Sequence, residues 1–454
     1  MDFFRRVADV LSLLLILGLL CETWLVGGII YPYRVVGGSM ANALLGPHHE
    51  VVCPHCDSRF LVDFEVVSQG RRLFCPGCER PIPSAEGQTN AISERLPGDR
   101  VFLARIPGVD GVDSLKRWDL MVFRHPERSR ELVIKRIVGL PGEQIRIQDG
   151  DVFANGRIVQ KSLRQFLAMS VPVETPCCPS PGGWAPMRET SRWIAEGSRV
   201  LRLVQAAGHA SLGTDWIAFG IDCGNTPRIP DLLHYNLGIP RRIETINEVP
   251  DFGVNWTISE TSNTGMFLVQ LNSRHDRFEL QVDWTFREIR LLHSGNVVDR
   301  MAIGGESQPP LRMVLAVCDH QVFFSLNGRI LFKHRYVPLH ESGIRPRFAV
   351  GFGGESLTCL LRDVRVFRDL FYTSPPFTQT AWGFGSPTFL SPDSYYCLGD
   401  NGIVSEDSRS WSGGPAIPAS LILGRPVAAV TWHRSVARSR LIPVPRIPFV
   451  RYIY

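Results

Sequence analysis

Two residues could carry out hydrolytic chemistry. Ser39 ends the Gly-Gly-Ser turn before Met40 and could supply a hydroxyl nucleophile. Taken alone, a serine there is an ordinary turn residue. Lys135 lies in the apolar run Val133-Ile134-Lys135-Arg136-Ile137-Val138-Gly139-Leu140-Pro141-Gly142-Glu143. A lysine in such a run either points to solvent or is partly buried. In the second case desolvation lowers its pKa, and the neutral amine can take a proton near neutral pH. Paired with a serine hydroxyl, it would activate that nucleophile. Only four of the 49 basic residues are lysine (Lys116, Lys135, Lys161 and Lys333), so a lysine inside a motif stands out.

A second pattern is Cys53-Pro-His-Cys56 and Cys75-Pro-Gly-Cys78, two Cys-x-x-Cys turns separated by 18 residues. The spacing matches a zinc ribbon with four thiolate ligands, and a closed site of that kind is structural, not catalytic. The alternative is two disulfides, which an exported location would favour. His48, His49 and His55 lie nearby and are not needed for the tetrahedron. The chain has 11 Cys, so they cannot all pair internally.

Several elements must position these groups. Arg5 and Arg6 precede a segment that is apolar to Tyr31 except for Asp9 and Glu22. Its length suits a membrane span, expected over residues 8–31. The flanking arginines put the N-terminus in the cytoplasm and the remainder on the outer face of the cell (inner) membrane. A cleaved signal peptide and a buried core helix are the alternatives; no small-x-small site follows the Leu-rich stretch directly. Trp24, Tyr31 and Tyr33 would suit the outer interface. Residues 95–160 and about 200–370 read as short strands separated by Gly and Pro, with Asn327-Gly328 as a hairpin signal. The fold class expected is mainly β, with an N-terminal transmembrane helix. At 454 residues the chain has room for about three domains. With 44% hydrophobic and 20% charged residues it is neither disordered nor fibrous. A net charge of +5 is too small to imply a nucleic-acid partner.

The order of motifs adds more. Ser39-Met40 is followed by LPGDRVFLAR (96–105), RWDLMVFRHPE (117–127), LVIKRIVGLPGEQIRIQDGDVFANGRIV (132–159) and YYCLGDNGIVSEDSRSW (395–411). This set resembles bacterial type I signal peptidase, the membrane-bound Ser/Lys endopeptidases. The resemblance covers roughly residues 8–50, 95–160 and 391–435. It implies Ser39 as nucleophile, Lys135 as general base, and Ser405 as the hydroxyl that orients the Lys135 amine. It further implies an Asp407–Arg409 salt bridge, and a loop shaped by Gly399, Asp400 and Asn401. Met40 follows the nucleophile as in the family pattern, and the Ser39 N–H would help stabilise an oxyanion. No cofactor is implied for catalysis, and the substrates implied are exported preproteins with Ala-x-Ala-like cleavage sites. The sequence departs from the pattern at Ala41-Asn42-Ala43, at Gly37 and at Gly402.

The implied organisation is a β-rich catalytic core over residues 32–50, 81–161 and 391–437, interrupted twice. Residues 51–80 form the zinc ribbon. Residues 195–372 resemble a concanavalin-like jelly roll of the laminin-G or lectin type, a β-sandwich whose partner could be a glycan or a protein. Trp193, Trp216, Trp256 and Trp284 could stack on sugars or fill a core. The function expected is removal of signal peptides by a membrane-bound Ser/Lys endopeptidase. The alternative is a non-catalytic, membrane-tethered glycan- or protein-binding protein on a peptidase scaffold.

Overall fold

The computed structural model describes residues 2–21, 30–55, 59–76, 80–83, 91–105, 115–173, 183–197, 199–204, 213–220, 229–231, 235–236, 246–262, 264–304, 308–340, 346–375, 381–433 and 447–452. The chain opens on the helix Asp2–Leu20. Leu11, Leu14, Leu15 and Ile16 on it are more than half exposed. No helix among the described residues is long and apolar enough to cross a membrane. Residues 22–29, the C-terminal part of the expected span, lie outside the described residues.

One eight-stranded antiparallel sheet is assembled from both sides of the large insertion. Its order is Ile30–Arg34, Arg100–Arg105, Ile422–His433, Leu120–Arg124, Leu132–Gly139, Ser394–Leu398 and Ile417–Pro418, and Ile447–Tyr452 pairs with Ile422–His433. Strands near residue 130 therefore hydrogen-bond directly to strands near 395, with Leu398 opposite Arg136. In Leu132–Gly139 every residue from Lys135 onward is buried, so both faces of the strand are covered. Adjacent side chains of a strand point to opposite faces. That puts Lys135 and Arg136, both charged, into two different interiors. A four-stranded sheet of Gln144–Gln148, Asp151–Ala154, Arg157–Ile158 and Thr388–Phe389 continues the core.

The first insertion holds the hairpin His48–Val52/Arg59–Asp63, the short helix Phe64–Ser68 and the pair Leu73–Phe74/Pro81–Ile82. Asp63 Oδ1 caps the helix by accepting from Glu65 N at 2.8 Å.

The second insertion is a sandwich of an eight-stranded and a seven-stranded sheet. Strand pairing within it begins at Val171–Pro172, ahead of residue 195. Asn327 and Gly328 both take positive φ (51° and 82°) and join Gln321–Leu326 to Arg329–Arg335 in a tight hairpin. Trp193, Trp256 and Trp284 are buried in the inter-sheet core and Trp216 is half-buried. Trp256 of one sheet packs at 5.4 Å from Phe352 of the other, so Trp193, Trp256 and Trp284 belong to the core rather than to a sugar-stacking surface.

The root of this sandwich is pinned to the core. The helix Leu163–Met169 begins in a Ser162/Gln165 capping box and sets Phe166 5.5 Å from Phe367. The buried Lys161 ammonium lies 2.7 Å from Asp319 Oδ1 and 2.8 Å from Asp369 Oδ2. Asp251, Cys318, Asp319 and Asp369 converge there, with ligand-type atoms within 4.8 Å of one another. The ammonium pairs with two of the three carboxyl groups of this cluster.

Candidate active site

The nucleophile candidate sits on a turn held from several sides. Val35 N donates to Asp99 O at 2.8 Å, Asp99 N to Leu45 O at 2.8 Å, and Leu45 N to Asp99 Oδ2 at 3.1 Å. The fully buried Asp99 thus ties together both ends of the segment from 35 to 45. Met40 is buried with Val35, Leu44, Val101, Leu120 and Ala429, which anchors the turn in the sheet. Asn401 holds the apex: its N–H donates to Ser39 O at 3.0 Å and its Nδ2 to Gly38 O at 3.1 Å. Ser39 itself is half-buried.

Lys135 comes from the strand Leu132–Gly139 of the same sheet. Its side chain is 3% exposed, and Nζ donates to Ser405 Oγ at 2.9 Å. Burial pushes its pKa down from 10.5 to about 8, with Asp407 opposing the fall and Arg409 reinforcing it. Ser405 lies in the loop that leaves the strand Ser394–Leu398 and is turned back by Ser405 N donating to Asn401 O at 3.0 Å. Gly399 is the point where the two halves meet. A Cβ there would stand 2.1 Å from Ser405 Oγ and 2.6 Å from Ser39 O. The Ser39 backbone and the hydroxyl that orients Lys135 are therefore packed on the same glycine.

A buried ion pair supports the loop. Arg409 Nε donates to Asp407 Oδ1 at 2.8 Å and Nη2 to Asp407 Oδ2 at 2.7 Å; both side chains are wholly buried. Burial opposes ionisation of Asp407, but the Arg409 charge and hydrogen bonds outweigh it and hold the carboxyl below its ordinary value. Asp407 Oδ2 also accepts from Gly399 N at 2.9 Å. Gly402 O accepts from Arg409 Nη2 at 3.1 Å, so the glycine at this departure from the family pattern contributes its carbonyl. Gly37 is exposed, and Ala41 is fully buried.

Among the described contacts, Lys135 Nζ meets Ser405 Oγ, Ser405 Oγ and the Ser39 carbonyl pack on Gly399, and Asn401, Asp407 and Arg409 hold the same loop; none of them joins Ser39 Oγ to Lys135 Nζ directly. Asp400 faces elsewhere, accepting from Arg136 Nε at 2.7 Å and Nη2 at 2.6 Å, while Arg136 Nη1 donates to Trp118 O at 2.7 Å. Sequence reasoning did not single out Arg136, Asp99 or Trp118. A second charge beside Lys135 in an apolar strand was the available signal for Arg136. The cysteines form a separate group. Cys53 and Cys75 are buried in one cluster with Val51, Phe60, Val62 and Leu73. Cys53 Sγ accepts from His55 N at 3.4 Å. Cys56 and Cys78 lie outside the described residues.

Residues 7–172 match the family described as signal peptidase, peptidase S26. That stretch holds the Ser39 turn, Lys135 and the first insertion. Signal peptidase I V of Bacillus subtilis is 33% identical over 54 residues, 12% of this chain and 31% of that protein. The chain therefore spans about a third of the length of that curated relative. Among solved structures, a protein of unknown function with a galectin-like fold from Bacillus subtilis is 15% identical, covering 41% of this chain and 90% of its own, with a TM-score of 0.27. The carbohydrate binding module CBM66 from Bacillus subtilis is 12% identical, over 41% of this chain and 92% of its own, with a TM-score of 0.22.

Proposed function

We propose that the protein is a membrane-bound serine endopeptidase that cleaves N-terminal signal peptides from exported preproteins, with Ser39 as nucleophile and Lys135 as general base. The observation that carries this reading is the buried Lys135 amine, its pKa pushed down to about 8 and its Nζ hydrogen-bonded to Ser405 Oγ, which packs on Gly399 beside the Ser39 carbonyl oxygen. A neutral amine donates one N–H to Ser405 and keeps its lone pair for the Ser39 proton. Ser39 Oγ then attacks the scissile carbonyl, forming an acyl-enzyme. The Lys135 ammonium returns the proton to the departing amine, and the regenerated amine deprotonates the water that releases the acyl group. The Asp407–Arg409 pair fixes the loop that carries Ser405, and Asn401 fixes the carbonyls of Gly38 and Ser39.

Leu11, Leu14, Leu15 and Ile16, exposed on the helix Asp2–Leu20, support the membrane-anchor part of the reading, although that helix is not by itself long and apolar enough to cross a membrane. An anchor ending shortly before Ser39 would hold the nucleophile near the outer membrane face, where a signal peptide's cleavage site emerges. The same reading includes a structural zinc ion held by Cys53, Cys56, Cys75 and Cys78. It is supported by the N–H donated to Cys53 Sγ, by the burial of Cys53 and Cys75 in one cluster, and by a return strand after each turn. Such an ion would stabilise the first insertion and take no part in hydrolysis.

The test is cleavage of a preprotein bearing an Ala-x-Ala site by detergent-solubilised wild type, Ser39→Ala and Lys135→Ala. Cleavage by wild type alone is expected. Loss of cleavage in all three folded proteins, across several preproteins, would favour a tethered binding protein.

A further inference from the structure

The second insertion reaches back to the nucleophile turn. Tyr235–Asn236 pairs in parallel with Leu61–Val62 of the first insertion, adding a third strand to its hairpin. Tyr235 is 2% exposed and packs with Ala41, Leu45 and Leu61. Its ring lies flush against Gly38: a Cβ on that residue would stand 2.4 Å from Tyr235 Cε1. The hydroxyl donates to Asp63 Oδ2 at 2.7 Å, and the other oxygen of that carboxylate caps the helix Phe64–Ser68. Burial, then the hydrogen bond to Asp63, raises the phenol above its ordinary pKa, so it stays a donor.

One residue thus joins three parts of the chain that are remote in sequence. Asn401 holds the Gly38 and Ser39 carbonyls, and the Tyr235 ring packs on the carbon of Gly38. The absence of a side chain at Gly38 is what lets the ring approach, because any Cβ would overlap it. Tyr235 also lies outside residues 7–172, the stretch matched by the peptidase family.

We propose that Tyr235 is a positioning residue for Ser39, so that both insertions form part of the peptidase site instead of being appended to it. The inference rests on Ser39 acting as the nucleophile. The ring fixes the path of the Gly38–Ser39 backbone, and through it the line along which Ser39 Oγ meets a scissile carbonyl. It touches neither Lys135 nor Ser405 among the described contacts, so it should govern the rate of attack and leave the base's titration alone. Misplacement of a reacting group by about 1 Å can cost on the order of 100-fold in rate.

The experiment uses full-length protein in detergent with an Ala-x-Ala preprotein, comparing wild type, Tyr235→Phe, Tyr235→Ala and Ser39→Ala. Tyr235→Phe keeps the ring and is expected to keep kcat within about 3-fold. Tyr235→Ala is expected to lose about 10- to 100-fold in kcat with little change in KM, and to keep the midpoint of the pH–rate profile. A fluorophosphonate probe should label Ser39 more slowly in Tyr235→Ala by a similar factor, with an unchanged circular dichroism spectrum. A wild type that cleaves nothing while folded would sink the peptidase reading itself. A wild type that cleaves, beside a Tyr235→Ala variant with equal or higher kcat, would overturn the positioning role alone; higher kcat would mark the ring as an obstruction. A Tyr235→Ala variant that fails to fold leaves Tyr235→Phe and Tyr235→Leu to decide. A Leu variant that folds and labels as fast as wild type would also overturn the role.

Discussion

Replacing Lys135 by methionine should stabilise the fold at neutral pH while abolishing cleavage. The fall of the Lys135 pKa from 10.5 to about 8 corresponds to roughly 3 kcal/mol of destabilisation wherever the amine is charged in both folded and unfolded states. Methionine has similar length and no charge to desolvate. It leaves Ser405 Oγ without the 2.9 Å bond from Lys135, offsetting about 1 kcal/mol. The net expectation is about 2 kcal/mol of added stability at pH 6.5. The sign of the pH dependence follows from the folded pKa lying below the unfolded one. The penalty is complete below about pH 8 and disappears as pH rises towards 10.5, because the folded state then binds fewer protons than the unfolded chain. The wild type should therefore gain on the variant between these values, and the difference should vanish near pH 10. Urea denaturation of both proteins across this range, in the same detergent, measures it. A variant less stable than wild type at pH 6.5, or a difference that does not change with pH, would refute the argument that Lys135 is held as a strained, desolvated base.

Further outcomes follow from the same geometry. The profile of kcat/KM should rise with pH through an apparent pKa of about 8 and then level off, since the neutral amine is the active form. A profile flat from pH 6 to 10 would contradict a lysine base. Gly399→Ala places a methyl group 2.1 Å from Ser405 Oγ and 2.6 Å from Ser39 O. It should cost about 1–3 kcal/mol of stability and most of the cleavage rate; full activity would show that the two sides do not meet there. Arg136→Met should destabilise by about 3–5 kcal/mol by leaving the buried Asp400 unpaired, and adding Asp400→Leu should recover most of the loss in denaturation experiments. Metal analysis of the purified protein should find one zinc per chain, lost in Cys53→Ser; a metal-free protein with two disulfides would overturn that assignment.

The strand content and the hairpin at Asn327-Gly328 were legible because turn residues and apolar alternation are local signals. The Lys135–Ser405 bond and the packing of Ser405 and the Ser39 carbonyl on Gly399 could be expected only through the order of motifs, since nothing in the spacing from 39 to 405 reports proximity. The burial of Trp193, Trp256 and Trp284 was open at the sequence level, because a tryptophan that stacks on a ligand and one that fills a sandwich have the same neighbours in the chain. Arg136 went unread because strand alternation predicts one buried and one exposed face, whereas Leu132–Gly139 is covered on both. Tyr235 was illegible for another reason: its two-residue strand is defined by a parallel pairing to a segment 174 residues earlier, Tyr235 with Leu61, and no local pattern encodes such a partner.

Hydrolysis by the Ser39/Lys135 pair requires Ser39 to become covalently acylated with Lys135 as the base. Rapid acid quenching of the enzyme with a preprotein, followed by mass spectrometry of the peptide that contains Ser39, tests it most directly. An added acyl group is expected on Ser39 in the wild type, and none in Lys135→Ala over the same time. Cleaved product with no adduct on Ser39, or an adduct on a different residue, would contradict it.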